Sequence, residues 1–188
     1  KYRFCVRCYT CNGPLREYPA EYQDPAYEKA VGKAYRDVGI PFSLDPHDMS
    51  EPGTGRALRE LQALVERIQK EHPGDGRKQL DVFAQWLRDN CRYEPVPQSP
   101  DTTRSAEVIV YEFLTYKKGT ALDAHMTFLA VARSCFNMPV RLSQGYDVED
   151  EALGFGEMAK LHVWCEAYIH GQGWKVYSVF DQYTVPLD

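Results

Sequence analysis

Helices come first in this chain and strands come last, an order that predicts an α+β fold with a central helix packed on an antiparallel β-sheet. Three observations carry that prediction. Leu58, Leu61, Leu64, Val65 and Ile68 fall on one stripe at helical spacing. A second, mostly apolar run follows Thr120 through Met126, Phe128, Leu129, Val131, Ala132 and Cys135, and reads as a buried central helix. Beyond it, Leu161 to Ile169 alternates with period two. Leu161, Val163, Cys165, Ala167 and Ile169 take one face; His162, Trp164, Glu166 and Tyr168 take the other.

In chain order, residues 1–50 read as an appendage rich in cysteine and aromatic residues, and residues 51–188 as the core domain. The chain opens with Cys5-Val6-Arg7-Cys8-Tyr9-Thr10-Cys11, followed by the turn signal Asn12-Gly13-Pro14. A short helix is expected between Tyr27 and Val38, stopped by Gly39-Ile40-Pro41. Asp45 to Gly55 carries Pro46, Pro52, Gly53 and Gly55 and reads as a loop. The first strong helix is predicted from Arg56 to Glu71, ended by His72-Pro73-Gly74. The next spans Arg77 to Cys91, with Leu80, Phe83, Trp86 and Leu87 on its buried side. A proline-dotted loop, Glu94 to Arg104, leads to Tyr111-Glu112-Phe113-Leu114 and through Lys117-Lys118-Gly119 into the central helix, for which Thr120 is the N-cap. Val140 to Tyr146 reads as a strand. Gly171-Gln172-Gly173 turns the Leu161–Ile169 strand into a return strand from Trp174 to Phe180.

Composition narrows the function classes. With 188 residues, 44% hydrophobic and 26% charged, the chain is an ordinary globular domain. The formal net charge of −5 argues against wholesale nucleic-acid binding, which needs a basic footprint. No apolar run approaches the roughly 20 residues that span a bilayer, so no direct membrane insertion is expected. No signal-peptide pattern opens the chain. Lys1 stands where an initiating Met would, which predicts a processed segment of a larger protein or assembly. Cys5, Cys8 and Cys11 would bind zinc if Cys91 or His47 supplied a fourth ligand, or would form a disulfide. A structural zinc site usually pairs two separated knuckles, however, and only one is visible, so free or locally paired cysteines are expected. Cys135 and Cys165 lie on apolar faces and read as core residues. No cofactor is expected.

Four ordered landmarks carry a family resemblance. They are Gly119-Thr120-Ala121-Leu122-Asp123; Pro139-Val140-Arg141 with Gly145-Tyr146; His162-Val163-Trp164-Cys165-Glu166; and Gly173-Trp174-Lys175-Val176-Tyr177-Ser178. From about Leu80 to Leu187 the chain resembles the transglutaminase-like superfamily, whose fold is shared with papain-type cysteine proteases. It looks most like bacterial extracytoplasmic transglutaminase-core domains. The resemblance implies a Gly-x-Cys at the start of the central helix and a His and an Asp on two adjacent antiparallel strands. A helix N-terminus and a nearby imidazolium lower the thiol pKa, and a third group orients the imidazole.

The decisive positions depart from that pattern. Two residues after Gly119 stands Ala121, which has no nucleophilic atom, and the family's Asp position falls on Ser178. Ser178 accepts a hydrogen bond but supplies no charge. Asp181, past Ser178 on the opposite strand face, is the weaker substitute. His162 alone of the three is retained. The resemblance therefore implies a catalytically degenerate domain, a pseudoenzyme whose cleft of Ala121, His162, Trp164 and Ser178 is kept for a peptide or protein partner, or only as a scaffold. The alternative is an active acyltransferase, amidohydrolase or protease shown with its Cys replaced by Ala. The weakest reading is a metal-dependent hydrolase in which His125 and Asp123 join His162. The resemblance suggests an extracytoplasmic location, while six cysteines fit either compartment.

Overall fold

The computed structural model describes residues 25–36, 52–95, 105–147 and 160–180. Among these described residues, five helices and five strands follow in the order α1 (Pro25–Arg36), α2 (Pro52–Glu71), α3 (Gly76–Asn90), β1 (Arg92–Tyr93), α4 (Ala106–Tyr116), β2 (Lys118–Gly119), α5 (Ala121–Ser134), β3 (Val140–Asp147), β4 (Lys160–Ile169) and β5 (Gly173–Tyr177). The α+β class and the antiparallel sheet are as expected.

The stripe on α2 is buried as its spacing requires: Leu58, Leu61 and Ile68 are fully excluded from water, each worth about 1.5–3 kcal/mol of transfer free energy. Leu80, Phe83, Ala84 and Leu87 do the same for α3, which Asp75 caps by accepting the N–H of Lys78. Trp86 is only half-buried, its ring covered by the Lys117 ammonium 4.4 Å from the centroid. The core runs from α2 and α3 through α4 to α5. Phe83 stacks on Phe128, and Phe128 in turn on Tyr177 at 5.1 Å between centroids.

In the three-stranded sheet β4 lies between β3 and β5, antiparallel to both. Its register pairs Arg141 with Glu166, Gly145 with His162, Cys165 with Tyr177 and Tyr168 with Trp174. One face carries Cys165, Ala167 and Ile169 into the main core. The other carries Tyr168 and Trp174, and α1 covers them with Tyr27, Val31 and Tyr35. The helix at 25–36 thus lies inside the stretch expected to be an appendage, yet it forms one wall of the sheet.

Three elements differ from expectation. Pro52 opens α2 four residues before Arg56; a proline at the first helical position forfeits only an N–H that has no helical partner anyway. The segment 106–116 is a helix, capped by Ser105 accepting from the N–H of Val108; Val108 to Leu114 is nearly continuous in apolar residues and hides its period. The return strand stops at Tyr177 rather than Phe180. There the Ser178 carbonyl is taken by Arg88 Nη1 at 2.9 Å and the Val179 N–H by His125, so side chains replace the ladder.

Candidate functional site

The start of α5 is built by local chemistry. Thr120 Oγ1 accepts the N–H of Asp123 at 3.2 Å, and the Asp123 carboxylate accepts the N–H of Thr120 at 2.8 Å, a complete capping box. Just before it, β2 pairs in parallel with β1, Gly119 opposite Tyr93. A Cβ on Gly119 would sit 2.8 Å from Asp123 Oδ2 and 2.9 Å from Phe113 Cδ2. Only glycine lets the chain pass so close to the cap. Ala121 is the first residue of α5 and is half-buried.

One turn into α5, His125 is completely buried. Its Nε2 lies 3.0 Å from the Val179 nitrogen and its Nδ1 lies 2.6 Å from the Ala121 carbonyl oxygen. A backbone N–H can only donate, so Nε2 is the bare nitrogen and the proton sits on Nδ1, donated to Ala121. Both ring nitrogens are spent on backbone, and a metal at Nε2 would have to displace the Val179 N–H. That leaves the metal-dependent reading without its first ligand. Asp123 serves the cap, and among the described residues no group of three His, Cys, Asp or Glu is arranged to hold a metal ion.

Ser178 follows the last residue of β5. Its hydroxyl donates to the Phe180 carbonyl at 3.2 Å. His162 stands opposite Gly145 in the β3–β4 ladder; its side chain lies outside the described residues, as do Asp181, His47, Cys5, Cys8 and Cys11. Trp164 keeps different company from Ala121. Its Nε1 donates to Glu166 at 3.1 Å, and Glu166 pairs with Arg141, whose guanidinium lies 4.0 Å from the centroid of Trp174. The structure therefore brings together Ala121, His125 and the 178–180 segment. It assigns Trp164 to the face that α1 covers.

A cleft of about 420 Å³ opens on the near side of α5. Its walls come from Glu94 and Pro95 after β1, from α4, and from the stretch Lys118, Gly119, Thr120 and Asp123. Among the described residues expected to bind, only Asp123 lines it. The sequence reading missed the α4 contribution because that helix was not assigned. Ser105 at an N-cap spacing before Val108 was the signal available.

A model of the transglutaminase-like superfamily matches residues 62–179, which span every landmark from Gly119 to Ser178. The chain belongs to the transglutaminase-like superfamily. Comparison with curated proteins finds no match. Among solved structures, the transglutaminase-like domain is similar to the periplasmic domain of TgpA from Pseudomonas aeruginosa. The identity is 16%, with 80% of this chain and 47% of that one covered at a TM-score of 0.47. In the ethylmercury-bound form of the same domain the values are 19%, 72%, 46% and 0.43. A protein from Cytophaga hutchinsonii described as a cysteine-protease candidate gives 20% identity over 63% of this chain and 37% of its own, at a TM-score of 0.42. The chain thus spans less than half the length of each solved protein it resembles.

The described thiols of the transglutaminase-like domain are buried or half-buried. Cys165 is buried and its Sγ lies 3.3 Å from the His125 carbonyl. Burial pushes the Cys91 thiol up to about 11, against the pull of nearby Lys117, and pushes Cys135 up to about 12. Cys165, enclosed entirely, is raised further still. Desolvation disfavours a thiolate, and none of these three is poised as a nucleophile. Cys91 is also buried in the main core. Among the described residues no helix is long and apolar enough to cross a membrane.

Proposed function

We propose that this transglutaminase-like domain is catalytically degenerate and acts as a peptide- or protein-binding module. The observation that carries the reading is Ala121 at the first position of α5, two residues after Gly119, where the family pattern has its cysteine. A methyl group there cannot attack a carbonyl, and a thiolate is the nucleophile of this chemistry. Ser178 at the acid position supports the same reading, because its hydroxyl is directed at Phe180 rather than carrying a charge for an imidazolium. Cys91, Cys135 and Cys165 offer no substitute thiol.

One feature favours the second reading, an acyl-transfer enzyme whose nucleophile has been replaced. The capping box and the close approach at Gly119 are intact, so the helix start that would lower a thiol pKa is still in place. Peptide mass spectrometry across residues 119–133 of protein from its natural source separates the two. Alanine at 121 supports a domain that has lost catalysis; cysteine at 121 overturns it and turns the problem to an amide or glutamine substrate. Amine incorporation into a glutamine peptide by the protein with Ala121 would overturn it as well.

A further inference from the structure

We draw no further inference here: the strongest candidate, the cleft between α4 and the start of α5, carries nothing, because its Asp123 carboxylate serves the capping box, its Lys118 ammonium pairs with Glu94, and nothing in the structure shows what covers the apolar wall of Pro95, Ile109 and Phe113.

Discussion

His125 Nε2 accepts the backbone N–H of Val179 at 3.0 Å while its Nδ1 donates to the Ala121 carbonyl, so one buried imidazole ties the first residue of α5 to the residue after Ser178. The start of α5 and the segment that follows β5 are thereby held by a single ring. The tie depends on one tautomer, because a second ring proton would face the Val179 N–H with a donor. His125→Phe keeps a planar ring and strands a buried N–H. It should cost about 1–3 kcal/mol, read as a lower urea midpoint with unchanged slope, and should speed hydrogen exchange at Val179. An unchanged Val179 exchange rate would sink this account of the ring.

Gly119 answers to a different constraint. A methyl group there would press on Asp123 Oδ2 at 2.8 Å and on Phe113 at 2.9 Å, both set in packed surroundings. Gly119→Ala should destabilise the domain by about 1–3 kcal/mol through overpacking and a disturbed cap. Thermal unfolding reads the loss, and a neutral substitution would mean that the cap moves freely.

Arg141 and Glu166 face each other across β3 and β4. Their side chains are 30% and 3% exposed, and that asymmetry predicts an asymmetric response. Arg141→Ala removes the cation beside a buried carboxylate, to which Trp164 still donates, and should cost up to about 3–5 kcal/mol. Glu166→Ala leaves a guanidinium that still reaches water and the Trp174 ring, and should cost clearly less. Urea titrations of both single variants and the double variant decide the order.

Glu28 latches α1 to the β4–β5 turn. The Gly171 N–H donates to it at 3.2 Å, His170 lies 2.8 Å away and Tyr168 donates from 3.3 Å. The Gly171 bond above all, then His170 and Tyr168, hold its carboxyl below the ordinary value of 4.5, against a smaller desolvation effect. A depressed folded pKa contributes stability that is complete above the unfolded value and lost as pH falls through the folded one. Acidification below about 4.5 should therefore loosen α1. Trp174 fluorescence reports it, since its Nε1 donates to Tyr27 of α1 at 2.9 Å. Glu28→Gln should flatten that step. We further expect deletion of residues 1–36 to expose Trp174, so that an appendage boundary at residue 50 would cut into the folded unit; an unshifted emission spectrum would restore the boundary.

Ala121→Cys supplies a thiol at a helix N-terminus without a carboxylate at 178. On the degenerate reading, this variant should incorporate amine at least about 10²-fold more slowly than Ala121→Cys combined with Ser178→Asp, the scale on which a positioned acid or base contributes. Full recovery by the single change would count against the degenerate reading. Mapped alkylation should find Cys135 and Cys165 slow in both variants, because burial holds their thiols protonated.

The local patterns determined a good deal by themselves. Leu58 to Ile68 fixed a helix and its buried face, because each fourth or third residue had to leave water together. The alternation from Leu161 to Ile169 fixed a strand and its two faces. Thr120 announced a helix start as an N-cap, since that bond lies within one turn, and the structure adds the return bond to Asp123. Motif order alone led to the superfamily. What the sequence could not supply were the contacts made across long separations. The Gly119 requirement depends on Phe113 of another helix, and the tie from His125 reaches 54 residues to Val179. The end of β5, the covering of Trp174 by α1 and the cleft between α4 and α5 all depend on which surfaces meet. Periodicity records which residues turn inward; only packing decides which atoms they find there.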